Sequence, residues 1–309
     1  SYDNRLYGIH WQRGRHSNAG YSNFRSLIMG IDCPSFSKVN IGLRILEKRS
    51  DDYHNINTIF QELKFGDVIT IDETNHGCNI ICDEIKVPTG ENNLCYKSYY
   101  ELIKRFPNIN GVKITIKKNV PIGSGLGGGS ANAASVLKGI CKLFALGLSN
   151  NELESIAAKI GADVPFFING GTQLGTGIGE ILKPIDKTFN GFYLLVMPNI
   201  SISTKWAYSQ IKNQLNSEKT LANFASFSGE KNFSPELFEN DFEDIVIPAY
   251  PEVGLIKYKL IELGAKFASL SGSGSTVYGI FNDEASAKGA ELVFQNSNTT
   301  IITEPTKIN

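Results

Sequence analysis

The sequence predicts an α+β fold in two domains, and three observations carry that expectation. At 309 residues the chain is long enough for two cores. Its first third reads as strands, with sustained helical periodicity only after Asn93. A fresh strand pattern begins at Phe192, past a glycine-rich patch at Gly170 to Gly179. The expected division is 1–28 as a leader or non-native extension, 29–185 as the first domain and 186–309 as the second.

Residues 1–28 carry Arg5, Arg13, Arg15 and Arg25 against one acid, Asp3, and show no apolar periodicity. That composition suits an organelle transit peptide, or an extension ahead of Met29 as the natural start. It is set aside from the fold, and His10, Trp11 and His16 receive no role. From Ser37 the chain alternates as a strand through Ile45, passes a polar turn at Glu47 to Asp52, and resumes near Ile56 and at Val68 to Ile71. Asn93 to Phe106 places apolar residues at helical spacing and stops at Pro107. Val112 to Lys118 alternates as a half-buried strand, and Ser130 to Leu146 returns to helical spacing. Ser149 to Glu152 is a capping box opening a helix that Gly161 ends. In the second half, Phe192 to Met197 is a strand and Thr204 to Ile211 a helix, while Gln214 to Asp244 reads as irregular. Pro251 to Leu263 is a helix stopped by Gly264, and Phe267 to Phe281 reads strand, glycine turn, strand. A helix at Asp283 to Gln295 and a strand at Thr299 to Ile302 complete the chain.

Between the strand at 112–118 and its helix lies PIGSGLGGGSANAASVL, with five glycines from Gly123 to Gly129. Each glycine loses more backbone freedom on folding than any other residue, so the cluster points to close approach of backbone and ligand. A strand, a glycine turn and a helix in that order aim unpaired N–H groups and a positive helix end at one place, which suits phosphate. Gly123, Gly125 and Gly128 match a dinucleotide fingerprint, yet no acid lies between Glu101 and Glu152 to hold a ribose. A P-loop needs lysine where Ser130 stands, and the protein-kinase tripeptides H-R-D and D-F-G are absent.

Composition narrows the partners. Thirty basic residues balance 31 acidic ones, which favours a small molecule over a nucleic-acid or membrane surface. Cys33, Cys78, Cys82, Cys95 and Cys141 are scattered and read as reduced thiols of a cytosol-like compartment. No apolar run approaches the roughly 18 residues of a membrane span. Asp163 stands among apolar residues in GADVPFFI and is expected to be largely buried, which calls for a partner charge. Lys38 is the candidate partner. The pair reads either as a general base with its helper or as a salt bridge tying the first strand to a helix end. Tyr53 and His54, in a polar turn, offer a ring to stack on a nucleobase and a nitrogen to bond its edge.

The stretch Pro121 to Ala133 resembles the phosphate loop of the GHMP kinases. Two further motifs of that family stand in the expected order, SKVNIGL before it at Ser37 to Leu43 and SGSGS after it at Ser271 to Ser275. Asp52-Tyr53-His54, Gly161 to Phe166 and Gly177 to Glu180 direct the likeness to members whose acceptor is a cytidine-diphosphate-linked polyol of non-mevalonate isoprenoid synthesis. The likeness spans about residues 31 to 305. It implies a ribosomal-protein-S5-like first domain that binds ATP and a ferredoxin-like second domain that binds substrate. It also implies ATP and Mg²⁺ as cofactors, with Pro121, Ile122, Gly123, Ser124, Gly125, Leu126, Gly127, Gly128, Gly129 and Ser130 around the phosphates. Ser130 would reach Mg²⁺ or the β-phosphate, and Asn93 and Lys118 would lie near the nucleotide. By the same resemblance Asp163 is the general base, with Lys38 beside it at the reacting hydroxyl. Tyr53, His54 and Tyr208 surround cytosine, while Asn40 and Thr204 touch the diphosphoerythritol part. The turn Gly272 to Ser275 either closes over the ligands or is a plain hairpin. The implied protein is a monomer or weak homodimer with no nucleic-acid or membrane partner. It acts in a bacterial cytoplasm, or in a plastid where the leader is a transit peptide. Rival readings are a homoserine, mevalonate or sugar kinase of the same family, and a non-catalytic nucleotide- or RNA-binding protein. Near-neutral charge and the presence of both Lys38 and Asp163 argue against the last.

Overall fold

The computed structural model describes residues 30–186, 189–211 and 238–306. The leader at 1–28 and most of the stretch expected to be irregular lie outside the described residues. The first sheet is built on a long antiparallel hairpin of Ile31–Lys48 (β1) and His54–Thr74 (β2). Sequence alternation suggests two strands near 56 and 68, and the structure joins them. The break in alternation is a bulge. At Gly66 an added Cβ would lie 2.0 Å from the Ser35 carbonyl oxygen, and the register slips between Phe36 and Ser37. A second slip falls at Gly42, whose φ of 69° is left-handed.

Cys78–Cys82 (β3), which shows no clear pattern in the sequence, runs parallel to Gly111–Lys117 (β4), and β4 pairs antiparallel with β2. On its other stretch β2 pairs with Thr172–Thr176 (β5), which continues to Ile181–Pro184 (β6). Strand β5 lies within the glycine-rich patch at Gly170 to Gly179, and β6 follows directly after it. Helices Leu94–Arg105 (α1), Gly128–Leu143 (α2), Asn150–Ala157 (α3) and Phe166–Asn169 (α4) share one core with the sheet, centred on Ile69, Ile71, Ile114 and Leu137. The capping box at Ser149 and Glu152 forms as its sequence suggests.

The second sheet holds Phe192–Met197 (β7), Phe267–Leu270 (β8), Val277–Phe281 (β9) and Thr299–Thr303 (β10), ordered β10-β7-β9-β8 and antiparallel throughout. Helices Thr204–Ser209 (α5), Glu243–Ala249 (α6), Pro251–Glu262 (α7) and Glu284–Phe294 (α8) complete it. A strand, helix, strand, strand, helix, strand order gives the ferredoxin-like arrangement. Strand β7 alternates cleanly. Leu194 and Val196 pack with α7 and α8, whereas Tyr193 and Leu195 pack with Val39, Ile41, Ile59 and Leu63 of the first hairpin. Since Val39 and Ile41 face the second sheet, period two turns Lys38 and Asn40 the other way, into a cleft.

The glycine stretch of the first half meets the β8–β9 turn of the second with no room between them. An added Cβ at Gly125 would sit 2.1 Å from the Ser271 carbonyl oxygen, and Gly125 has φ +78°. Gly123 shares the left-handed backbone, φ +67°, with nothing within 4 Å. Gly123→Ala is expected to cost about 1 kcal/mol from backbone strain alone. Gly125→Ala adds a backbone clash and is expected to cost about 3 kcal/mol or more. Urea unfolding of the two variants measures the contact; equal costs would show that the two turns do not touch in solution.

Candidate active site

Between the sheets and α2 lies a cavity of about 460 Å³. The glycine loop forms its floor. Gly123, Gly125 and Gly127 have φ of 67°, 78° and 70°, so every second residue is left-handed. Leu126 between them is fully buried and anchors the loop, its carbonyl accepting from the Lys38 backbone N–H at 2.9 Å. Ser124 is spent on structure, its hydroxyl donating to the Pro121 carbonyl at 2.8 Å. Sequence reading starts the helix at Ser130, but α2 starts at Gly128, because glycine there answers a steric need. A Cβ at Gly128 would meet Val120 Cγ1 at 3.0 Å and Lys118 Nζ at 3.1 Å. The first bond of α2 runs from Ala131 N–H to the Gly127 carbonyl at 2.9 Å. Among the described residues the N–H groups of Gly128, Gly129 and Ser130 have no partner, and all three residues line the cavity. At Gly129 nothing lies within 4 Å of an added Cβ, so this turn of the helix faces open space.

The turn at Ser271 to Ser275 is more than a hairpin. Ser271 Oγ donates to the Gly125 carbonyl at 2.9 Å, and Thr276 N–H donates to the Ser124 carbonyl at 3.2 Å. Asn240 Nδ2 donates to the carbonyls of Leu270 and Gly272, both at 2.8 Å, fixing the turn from behind. Ser273 and Thr204 place their hydroxyls 2.9 Å apart on the cavity wall.

Lys38 is the buried charge of the site. Its ammonium donates to Asn40 Oδ1 at 2.6 Å and to the Gly125 carbonyl at 3.2 Å, and stands 5.5 Å over the Phe60 ring. Burial pushes the Lys38 pKa below its ordinary 10.5, and the nearby charge of Asp163 pulls it back up. Asp163 departs from expectation. It is half-buried rather than buried, and no ion pair or hydrogen bond joins it to Lys38. The turn closed by Val164 N–H on the Gly161 carbonyl sends Val164, Phe166 and Phe167 into the core and leaves Asp163 on the cavity side. An apolar neighbourhood in sequence therefore says little about one member's exposure.

Lys118 and Asn93, expected near the nucleotide, line the cavity, and both are held by the protein. Lys118 pairs with buried Asp67 at 2.5 Å, and Asp67 also accepts from the N–H groups of Asn119 and Val120 at 2.7 and 2.8 Å. Asn93 caps α1 by accepting from Cys95 N–H at 2.8 Å and donates to the Pro88 carbonyl at 2.6 Å. Through that bond it shapes the segment whose Lys86, Val87, Pro88 and Asn92 also line the cavity. Sequence reading misses those four residues, since they carry neither motif nor periodicity. Asp67 escapes it too, for its partner lies 51 residues away.

At the other end His54 and Tyr208 stack on each other, with ring centroids 5.5 Å apart and planes at 19°. The expected slot for a base between aromatic faces is thus closed in this arrangement, and Tyr53 is 59 % exposed, outside the cavity lining. Tyr208 packs edge-on against Phe242, and burial with the Asp163 charge pushes its phenol up to about 12. Burial and the Lys48 charge lower the pKa of His54, leaving a neutral ring able to accept a hydrogen bond. Among the described residues no group of three His, Cys, Asp or Glu side chains gathers as a metal site. All five cysteines are free.

Comparison with known proteins adds a second line. Residues 93–171 match the family described as GHMP kinases N terminal domain, and residues 218–298 match GHMP kinases C terminal. The 4-diphosphocytidyl-2-C-methyl-D-erythritol kinase of Chlorobium chlorochromatii is 40% identical over 261 residues, covering 83% of this chain and 90% of that protein. The kinase of the same name from Syntrophotalea carbinolica is 37% identical over 255 residues, covering 82% and 90%. A crystal structure of 4-(cytidine 5'-diphospho)-2C-methyl-D-erythritol kinase superposes with a TM-score of 0.75 at 26% identity, covering 89% of this chain and 99% of that one. Homoserine kinase from Cytophaga hutchinsonii reaches a TM-score of 0.73 at 16% identity, over 93% and 98% of the two chains, which is likeness of fold alone.

The open space at Gly129 gives a direct test. Gly129→Ala is expected to leave folding unchanged or stabilised by up to about 1 kcal/mol, because alanine suits a helix better than glycine. The added methyl projects into the cavity, and if phosphates rest on the start of α2 the affinity for ATP is expected to fall at least about tenfold, a penalty of roughly 1.4 kcal/mol. Calorimetric titration beside a thermal melt reads both quantities; undiminished ATP affinity would place the phosphates elsewhere.

Proposed function

The chain belongs to the GHMP kinases, and we propose that it transfers the terminal phosphoryl group of ATP to the free 2-hydroxyl of 4-diphosphocytidyl-2-C-methyl-D-erythritol. The observation that carries this reading is a convergence. Unpaired N–H groups at the start of α2, a buried ammonium at Lys38 and a half-exposed carboxylate at Asp163 all line one cavity. Phosphoryl transfer needs positioning and charge stabilisation more than covalent chemistry, and these groups supply both.

In this proposal the phosphates lie on Gly127 to Ser130, where the backbone donors and the positive end of α2 face them. Lys118, aimed past Gly128 by Asp67, adds a fixed positive charge. Asp163 takes the proton of the acceptor hydroxyl as the new P–O bond forms, and ADP leaves with the electrons of the broken one. Lys38 stabilises the hydroxyl oxygen as it becomes negative. Because the ammonium is already desolvated, its charge is poorly screened and its effect on the reacting oxygen is large. Thr204, Ser273 and Asn40 stand where the acceptor's diphosphate and polyol would run. His54 and Tyr208 receive the cytosine, with Tyr53 closing from solvent, which requires their mutual stack to open. Magnesium belongs to the same proposal. The Ser130 hydroxyl and the phosphates are the donors available to it, and when bound it would neutralise phosphate charge. Among the described residues no helix is long and apolar enough to cross a membrane, and a cytoplasmic setting is part of this reading.

Asp163→Asn is expected to lower kcat by about 10²- to 10⁴-fold, the usual contribution of a positioned base. ATP affinity should stay within about twofold, because the phosphates bind on α2. A coupled ADP-release assay with the diphosphocytidyl substrate, and with homoserine or mevalonate in its place, measures turnover and specificity together. Rapid turnover by Asp163→Asn would remove it as base, and preference for homoserine or mevalonate would replace the substrate.

A further inference from the structure

Lys38 is aimed by a chain of hydrogen bonds that ends on a residue with no access to the cavity. Thr58 on β2 is fully buried, and its hydroxyl donates to the Gly42 carbonyl at 2.7 Å. That fixes the hydroxyl proton and leaves the oxygen lone pairs for the second partner, Asn40 Nδ2, which donates to them at 3.0 Å. With its NH₂ end held there, Asn40 must turn its carbonyl oxygen the other way, toward the Lys38 ammonium at 2.6 Å. The Gly42 carbonyl is available because the bulge at that residue interrupts the β1–β2 ladder, with φ at 69°. We propose that Thr58 is a positioning residue for phosphoryl transfer, setting the orientation of the Asn40 amide and through it the placement and protonation of the Lys38 ammonium.

The proposal rests on the role given to Lys38 above. Few groups face that ammonium. Asp163 bears on it from the segment before α4, the Gly125 carbonyl from the glycine loop, the Phe60 ring from β2, and the backbone at Gly272 from the β8–β9 turn. The Asp163 charge bears in turn on the Tyr208 phenol of α5. Asp163 is the ionisable side chain among the described residues whose charge acts on Lys38, so a change at Thr58 that leaves Asp163 in place acts on the ammonium through its own hydrogen bonds. Without the Thr58 oxygen the Asn40 NH₂ end is left buried with no acceptor, so the amide is no longer held from behind and is free to shift away from the ammonium in search of one. The ammonium then loses its shortest hydrogen bond, and its charged form is disfavoured.

Single-turnover rates across pH, measured on the full chain, test this. Thr58→Val keeps the shape and removes the hydroxyl. It is expected to slow the chemical step about tenfold or more, with KM for both substrates within about twofold, and to move the alkaline limb about one pH unit lower. Thr58→Ser restores the hydroxyl and should restore both rate and limb, which a simple packing defect would not do. Should Thr58→Val not fold, Thr58→Cys carries the same expectation through its weak thiol bonds. An unmoved limb and an unchanged rate in the folded variant, with Lys38→Met inactive, overturn the proposal alone. An active Lys38→Met overturns the role of Lys38 and the proposal with it.

Discussion

A positive charge held away from water at Lys38 is the constraint on which the surrounding structure depends. Removing an ammonium from water costs several kcal/mol unless oxygen atoms replace its hydration. Here the replacements are the Asn40 carbonyl and the Gly125 carbonyl, with the Phe60 face beneath. Bringing backbone that close demands residues without side chains. A Cβ at Gly127 would lie 3.2 Å from Lys38 Cγ and 2.9 Å from Phe167 Cζ, and Gly272, whose backbone passes beside the ammonium, has a left-handed φ of 57°. The glycines of two motifs far apart in sequence thus both approach one ammonium.

That shared demand explains why the two halves of the chain cannot be understood apart. The glycine loop belongs to the first half and the Ser271 turn to the second, yet their backbones are in contact and bonded through Ser271 and Thr276. The tie is reinforced where Tyr278 of β9 donates its phenol O–H to the backbone carbonyl of Asn40 at 2.8 Å. The β1 segment from Lys38 to Asn40 is consequently gripped on both sides, with Val39 in the inter-sheet core and its neighbours in the cavity. A rigid first strand is what lets a long lysine side chain act as a fixed charge.

Legibility in the sequence followed the range of the interaction. Features set by neighbours along the chain read well, including the capping box at Ser149, the helix after Asn93 and the ferredoxin-like order of the second half. Features set by distant pairs did not. Asp67 looks like any strand acid until Lys118 folds onto it, and Thr58 looks like a filler of β2 until Gly42 and Asn40 flank it. The glycine loop was recognised, but its helix was started two residues late, because glycine's poor helix propensity masked a steric requirement at Gly128. At Asp163 the structure revises the burial that its apolar neighbours suggest. Its apolar neighbours are buried while it is not, since a helical turn sends successive side chains in different directions.

The half-exposure of Asp163 fits the proposed chemistry better than full burial would. A base must surrender its proton to solvent between turnovers, and a carboxylate sealed beside a buried ammonium would have no such route. It would also form a tight pair, whose stability would have to be overcome before the acceptor hydroxyl could enter between the two groups. Keeping Lys38 satisfied by Asn40 and Gly125 instead leaves Asp163 without that embrace, close enough to feel the charge and open enough to receive a substrate. The neutral oxygens around Lys38 therefore do two things at once: they make burial of the ammonium tolerable, and they keep the base from being consumed by it.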